Sequence, residues 1–170
     1  MQNKCYAVLD TNVLVSALLG ASRMSVPTMV LRAVTEGKII PLYNDAIIDE
    51  YREVLSRDKF PFCKDQIVSV LETIMADGIC LDETKTIDEI LPDPKDVVFY
   101  EVAMSAECAY LVTGNIKHFP KKPFVVTPAE MMHIVESLEH TGMLSEPNVP
   151  YGHRHPTTTG VDHGLSENEI

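Results

Sequence analysis

The sequence predicts an α/β fold built on one mainly parallel sheet. Apolar, strand-like runs alternate with amphipathic helical segments between residues 5 and 138. Such alternation forms βαβ units, whose right-handed crossovers place successive strands in parallel. The chain has 170 residues, 45% of them apolar, which is enough for one well-filled core and too few for two. We therefore expect one domain over residues 1–138 and a tail over residues 139–170.

The first half of the chain opens with a buried strand over residues 5–9, which is followed at once by Asp10-Thr11-Asn12. Pro in a first helical turn and Gly after a helix end mark the boundaries of the next helices. The predicted elements are helices over 13–19 and 26–36, a strand over 39–42, a helix from Asn44 or Asp45 to Ser56, a helix from about 67 to 77 and a short edge strand over 79–81.

The second half begins with an acidic, irregular segment over residues 82–91. Asp93 is then predicted to cap a helix whose first residue is Pro94, with Asp96 in the first turn. Thr127 and Glu130 have the spacing of a capping box. The remaining elements are a helix over 97–107, strands over 110–113 and 124–126, and a last helix from Thr127 to about Leu138. After residue 139 apolar periodicity stops, so we expect a flexible extension or an arm that a partner orders.

Composition limits the function classes. The net charge of −11 leaves few Lys and Arg side chains to neutralise phosphates, so any nucleic-acid contact must be local. No apolar run is long enough to cross a membrane and no signal peptide is visible, so we expect a cytoplasmic protein. The four cysteines form no paired spacing, which favours reduced core thiols over disulfides or a zinc site.

Four oxygen-bearing residues follow one structural logic. Asp10 ends a strand, Glu50 borders the buried face of a helix, Asp96 begins a helix and Asn115 follows another strand. In a parallel α/β sheet such positions can face one crevice, and carboxylate oxygens of this kind suit Mg²⁺ or Mn²⁺. The alternative is that Asp10 is only a helix cap and Asn115 only a turn residue.

Four motifs occur in a fixed order between Cys5 and Leu138: Leu9-Asp10-Thr11-Asn12, Asp49-Glu50, Asp93-Pro94-Lys95-Asp96, and Leu111-Val112-Thr113-Gly114-Asn115 with His118-Phe119-Pro120. Together they resemble the PIN-domain family, and most closely its branch of VapC-type toxins of toxin–antitoxin pairs. The ordered set is much more specific than any single motif in it.

The resemblance implies a three-layer α/β/α sandwich and an endoribonuclease that depends on Mg²⁺ or Mn²⁺. Asp10 and Asp96 would be the main metal ligands, and Glu50 a ligand or the base for the attacking water. The fourth family position, commonly Asp, is Asn115 here. The missing charge weakens the case for a second metal, although an amide can still act as an outer ligand or orient water.

Other residues are candidates for supporting roles. Thr11 and Thr113 could donate hydrogen bonds to the carboxylates or to a phosphate. Glu101 lies among apolar positions, where it is either neutralised by a salt bridge or water, or supports the metal ligands. His118 either packs in its loop or contacts substrate. A small basic rim is expected from Lys117, Lys121 and Lys122, with Lys4, Arg23 and Arg32 as further contributors.

The resemblance also implies partners: an RNA substrate, a homodimer and a small antitoxin that places a basic side chain in the acidic groove. Two other functions stay open on the residues alone. The first is a weakened PIN domain that binds RNA or protein without cutting. The second is a phosphohydrolase with Asp10 as nucleophile, although this string lacks a second Asp two residues later.

Overall fold

A five-stranded sheet forms the centre of the protein in the computed structural model, which describes residues 3–144, with side chains described over 3–141. All four strand pairings are parallel, as the alternating pattern predicts. The strands are β1 (Cys5–Leu9), β2 (Ile39–Tyr43), β3 (Ile79–Cys80), β4 (Ala109–Val112) and β5 (Val125–Val126).

The order of strands across the sheet is β3-β2-β1-β4-β5, so β1 is the central strand. The chain builds outwards from β1 to β3 on one side and then returns to place β4 on the other side. The strand order therefore reverses between β1 and β4. Ligands of open α/β sheets bind at such a reversal, outside the carboxyl ends of the strands.

Helices cover both faces of this sheet, which confirms the predicted α/β/α sandwich. The buried core is formed by the apolar strands and by the inward stripes of the helices. The helices are α1 (Thr11–Leu19), α2 (Val26–Thr35), α3 (Asp45–Leu55), α4 (Lys64–Asp77), α5 (Val97–Ser105) and α6 (Pro128–Leu144), with short 3₁₀ turns at Ala21–Arg23, Pro94–Asp96 and Ile116–His118.

Side-chain caps fix several helix starts as predicted. Asn44, rather than Asp45, caps α3, because its Oδ1 accepts a hydrogen bond from the backbone N–H of Ile47 at 2.9 Å. Thr127 and Glu130 form the expected reciprocal capping box of α6. Local sequence therefore sets where these helices begin.

The last helix is longer than predicted, because α6 continues to Leu144 instead of ending near Leu138. Its final turns lack apolar periodicity and are supported by other contacts. Ser137 Oγ donates to the carbonyl of His133 at 2.8 Å, and Glu139 pairs with Lys38 at 2.9 Å. The rest of the predicted tail lies outside the described residues.

The prediction of core cysteines was wrong for three of the four. Cys5 is buried in β1, whereas Cys63, Cys80 and Cys108 are exposed, and none of the four forms a disulfide. Their apolar neighbours misled the prediction, because these three lie at a helix start, on an edge strand and in a turn. Within residues 3–144, no helix is both long and apolar enough to cross a membrane.

Candidate active site

Asp10 lies at the carboxyl end of the central strand, where the strand order reverses. Leu9 pairs with Val112 of β4, and the backbone N–H of Asp10 donates to the carbonyl of Val112 at 2.9 Å. The Asp10 side chain is buried, with a relative exposure of 5% for the residue. The sheet therefore holds a carboxylate out of bulk water at the position where α/β proteins bind ligands.

Side chains from two strand ends fix the Asp10 carboxylate. Its Oδ2 accepts hydrogen bonds from Thr113 Oγ at 2.8 Å and from Asn12 Nδ2 at 2.9 Å. Asn12 Oδ1 in turn accepts from the backbone N–H of Gly114 at 2.9 Å. Asn12 thus bridges the loops after β1 and β4, a role that the sequence did not reveal because its partners are distant in the chain. The Asp10 side chain makes no cap hydrogen bond to α1.

Asp96 lies in the short 3₁₀ turn directly before α5. The Asp93 side chain accepts from the backbone N–H of Lys95 at 2.9 Å, which starts the 3₁₀ turn of Pro94–Asp96 as the sequence predicted. This turn delivers Asp96 to the start of α5, where the residue is buried. Its Oδ2 contacts His118 Nδ1 at 3.1 Å.

The pKa of Asp96 depends on the charge of Asp10. Burial is the main cause that raises the pKa of Asp96 to about 6, and the negative charges of Asp10 and Asp93 raise it further. Burial also raises the pKa of Asp10, against the opposing effect of the Thr113 hydrogen bond and the nearby His118. The charge of Asp10 therefore acts on Asp96, a residue distant in sequence, and the pKa of both carboxyls is raised.

A hydrogen-bonded chain joins these two acids. The backbone N–H of Asn115 donates to Thr113 Oγ at 2.9 Å, and Asn115 Nδ2 contacts His118 Nε2 at 2.8 Å. His118 then contacts Asp96. The sequence left His118 undecided between packing and substrate contact, and the structure instead gives both its ring nitrogens polar partners inside the site.

Glu50 is half-buried on α3, next to a residue that ties this helix to the site. The hydroxyl of Tyr51 donates to the carbonyl of Leu9, the residue before Asp10. The charge of Asp10, after burial, also contributes to the raised pKa of Tyr51. Within the described residues, however, no hydrogen bond or ion pair joins Glu50 to Asp10 or Asp96, so the hydrogen-bonded chain links only two of the three predicted acids.

The three residues predicted to support the acids differ in their hydrogen bonds. Thr113 donates to Asp10 as expected. Thr11 is buried, but its Oγ has no hydrogen-bond partner within the described part of the chain. Glu101 is half-buried, and its Oε1 accepts from the backbone N–H of Ile87 at 3.4 Å. Glu101 therefore holds the irregular segment before α5, and no hydrogen bond between it and the acids is found among residues 3–144.

The donor set fits a hard divalent cation with an incomplete protein ligand shell. Over residues 3–144, no three His, Cys, Asp or Glu side chains group closely enough to hold a metal by themselves. Mg²⁺, however, is commonly bound by one or two carboxylates and completed by water and substrate phosphates. Asp10 and Asp96 are two buried carboxylates of this kind, and the hydroxyl of Thr11, the next residue after Asp10, is buried without a hydrogen-bond partner in the described part of the chain.

The predicted basic rim is smaller than expected. Lys117, in the turn between Asn115 and His118, and Lys121, three residues after His118, are exposed, whereas Lys122 lies 3.8 Å from Glu89. Lys4 precedes β1 and Asp10 follows it, so Lys4 lies at the opposite edge of the sheet from Asp10, about 20 Å away at ~3.3 Å per strand residue.

Arg32 was also expected on the rim, and this expectation was wrong. It pairs with Glu36 at 2.8 Å near the end of α2, which leads into the start of β2 and hence to the far edge of the sheet. Positive charge near the acids is therefore local and sparse.

Comparison with known families decides which class of α/β protein this is. A sequence model of the PIN domain matches residues 6–117, which covers β1 to the turn that carries His118. The chain belongs to the PIN-domain family. PIN domains are generally metal-dependent nucleases, so the family assignment indicates a hydrolase that acts on nucleic acid. No curated protein and no solved structure matches the chain in the other two comparisons.

The matched range contains Asp10, Glu50, Asp96, Thr113 and Asn115, so every predicted metal ligand falls inside the PIN domain. The match ends within the Ile116–His118 turn, so β5 and α6 lie outside it. β5 is nevertheless the fifth strand of the sheet, and α6 is the last helix of the fold.

Proposed function

We propose that this PIN domain is an endoribonuclease that hydrolyses RNA phosphodiester bonds with Mg²⁺ or Mn²⁺. The observation that carries the proposal is the approach of Asp10 and Asp96 at the switch point of the sheet. Burial raises the pKa of both carboxyls, and the charge of Asp10 raises that of Asp96 further, so a bound cation would stabilise their ionised forms. Among the described residues, neither acid pairs with Lys or Arg.

The residues of the chain divide the work as follows. Asp10 and Asp96 hold the cation, while Thr113 and Asn12 keep the Asp10 carboxylate in one orientation. Glu50 serves as a further ligand or as the base for the attacking water, from a helix that Tyr51 fastens to the Leu9 carbonyl. A bound divalent cation would supply activation of water and stabilisation of charge at phosphorus. Exposed Lys117 and Lys121 offer contacts to neighbouring phosphates.

The test is cleavage of purified single-stranded and structured RNAs in the presence of Mn²⁺ or of EDTA. We expect cleavage with Mn²⁺, none with EDTA, and a loss on the order of 10²- to 10³-fold in Asp10→Asn and in Asp96→Asn, the scale for removing one group that stabilises transition-state charge. Asp49→Asn is the matched control, because Asp49 is exposed on the outer face of α3. Cleavage that survives EDTA or both substitutions would refute the proposal.

A second candidate is a PIN domain that binds RNA without cutting it. Two observations favour it: Asn115 replaces the commonly acidic fourth residue, and no three protein ligands are grouped over residues 3–144. A protein with this function would leave RNA intact in the cleavage assay at every Mn²⁺ concentration. It would still bind RNA in a gel-shift experiment.

We further propose that the protein acts in the cytoplasm as the toxin of a toxin–antitoxin pair, as a homodimer. The order of the acids and the Thr113 to Pro120 segment, which resemble VapC-type toxins, support this role. A small basic antitoxin segment would fit an acidic site with few cations of its own. Expression in a bacterial host should then arrest growth, and Asp96→Asn should relieve the arrest. Sedimentation would report the dimer.

A further inference from the structure

Asn115 and His118 form a directed pair beside Asp96. Asn115 Nδ2 lies 2.8 Å from His118 Nε2, and His118 Nδ1 lies 3.1 Å from Asp96 Oδ2. An amide nitrogen can only donate, so His118 Nε2 must accept. The proton of a neutral imidazole then resides on Nδ1, from which it donates to Asp96. Asn115 thus selects the ring tautomer that suits the carboxylate.

The backbone of this pair is fixed from both sides. The backbone N–H of Asn115 donates to Thr113 Oγ, and the backbone N–H of His118 donates to the Asn115 carbonyl at 3.1 Å. Phe119, the next residue, is buried in the core and its N–H donates to the carbonyl of Ile116 at 3.1 Å. The turn therefore presents the His118 ring from a rigid support, although the ring itself is partly exposed.

One carboxylate oxygen of Asp96 accepts the hydrogen bond from His118. Its Oδ2 takes the His118 hydrogen bond, whereas no hydrogen bond to Oδ1 is found within residues 3–144. A carboxylate that ligates a metal is typically held by a hydrogen bond to a neighbouring group, and loss of that group weakens metal binding or activity by about 10- to 100-fold.

We propose that Asn115 and His118 are positioning residues that take the place of a fourth acid. On this view Asn115 acts through His118 rather than as a metal ligand: it fixes the Nδ1–H tautomer, and His118 holds Asp96 Oδ2 so that Oδ1 is left for the cation. The inference rests on the proposed metal-dependent function, but it makes a separate statement about this chain, namely which atom of His118 bears the proton and which residue it serves.

The experiment compares three variants with the wild type. His118→Ala removes the donor, whereas His118→Asn keeps an N–H at the same number of bonds from the backbone as Nδ1. His133→Ala is the control, because His133 is an exposed histidine on α6 to which no role is assigned. The readouts are the Mn²⁺ dissociation constant from the paramagnetic resonance of free Mn²⁺, and kcat and KM for RNA cleavage.

We expect His118→Ala to weaken Mn²⁺ binding by about 10- to 100-fold, with His118→Asn restoring most of the loss and His133→Ala matching the wild type. The loss of activity should fall on kcat at saturating RNA and subsaturating Mn²⁺, because His118 is not proposed to contact the substrate. A rise in KM for RNA with unchanged Mn²⁺ affinity would overturn the inference in favour of substrate contact.

A metal-free measurement tests the tautomer directly. Long-range ¹H–¹⁵N spectra of the wild type in EDTA should show the His118 proton on Nδ1, and Asn115→Ala should lose that preference. A proton on Nε2 in the wild type would overturn the inference.

The two proposals fail in different ways. If the wild type neither binds Mn²⁺ nor cleaves RNA, the proposed function falls and the positioning role falls with it. If the wild type does both and His118→Ala behaves like it, only the positioning role is refuted.

Discussion

Two groups of acids in this protein are chemically alike and behave differently. On the outer face of α3, Asp49 pairs with Arg52 and Glu53 with Arg57, each at 2.9 Å and one turn apart. The Asp49 side chain is 76% exposed, whereas that of Asp96 is only 12% exposed. Arg57 lowers the pKa of Glu53, while burial and the charge of Asp10 raise the pKa of Asp96.

The difference lies in where the compensating charge comes from. Asp49 pairs with Arg52 of the same helix, and Glu53 pairs with Arg57 two residues past the helix end, so the charge of each is balanced by a near neighbour in sequence. Asp10 and Asp96 come from different elements and are brought together by the sheet. Within residues 3–144 the basic group that contacts Asp96 is His118, and neither Asp10 nor Asp96 has the arginine partner that Asp49 and Glu53 have.

The largest expected effect comes from removing the buried charge of Asp96, and it is a change in stability that depends on pH. The folded-state pKa of Asp96 is about 6, above its ordinary value of 3.8, so the folded state binds more protons between these values. Protonation of Asp96 therefore contributes to the free energy of unfolding below pH 3.8, and this contribution is lost as the pH rises through about 6. At pH 7.5 in EDTA, Asp96→Asn should raise the free energy of unfolding by up to ~3 kcal/mol, measured by urea denaturation.

The same two proteins should converge at low pH, where Asp96 is protonated in both the folded and unfolded states. Asp49→Asn should follow the wild type across the whole range. Equal stability of the wild type and Asp96→Asn at pH 7.5 would show that the buried acids are already compensated.

A divalent cation should supply the charge that α3 obtains from arginine. Mn²⁺ at 100 times its dissociation constant should stabilise the wild type by about 2.7 kcal/mol, because it binds the folded state alone. Differential scanning calorimetry with and without Mn²⁺ measures this shift, with Na⁺ at matched ionic strength as the control. Asp10→Asn and Asp96→Asn should lose most of it, and a general salt effect would shift all three proteins alike.

The link between α3 and the site predicts a smaller effect. Tyr51→Phe removes the hydroxyl that donates to the Leu9 carbonyl and leaves a buried acceptor without its partner. The cost should be about 1–3 kcal/mol in the free energy of unfolding, measured by chemical denaturation. Tyr43→Phe is a suitable comparison, because the Tyr43 hydroxyl donates to the Met75 carbonyl at an exposed position. A cost no greater than that of Tyr43→Phe would show that the buried bond contributes little.

The smallest effect is expected on the surface. Arg52→Ala should leave the midpoint of thermal unfolding and RNA cleavage unchanged within measurement error, because exposed ion pairs contribute little to stability. A clear drop in the midpoint would mean that the two groups of acids differ less than their exposure indicates.

Several parts of the candidate site could be predicted because they depend on neighbours in the chain. Asp10 follows a buried strand, Asp93 and Pro94 set the turn that delivers Asp96, and Asn44 begins the helix that carries Glu50. Each of these signals is contained in a few consecutive residues. The separation of Glu50 from exposed Asp49 and Glu53 likewise followed from helical periodicity.

Other parts could not be predicted because their partners lie far along the chain. Asn12 meets Gly114, Tyr51 meets Leu9, and His118 meets Asp96 only after the sheet has formed. The sequence suggested that Arg32 would join the basic rim, but it faces the wrong edge and pairs with Glu36. The added turns of α6 depend on contacts such as Glu139 with Lys38 that no local pattern announces.

By itself the sequence determined the order of strands and helices, the starts of the main helices and the residue types available at the strand ends. These depend on periodicity and capping, which act over one or two turns of chain. The tertiary structure alone decided that a chain of hydrogen bonds through Thr113, Asn115 and His118 links Asp10 to Asp96. Such contacts depend on distances of about 3 Å between hydrogen-bonding atoms, which only the packed sheet can set.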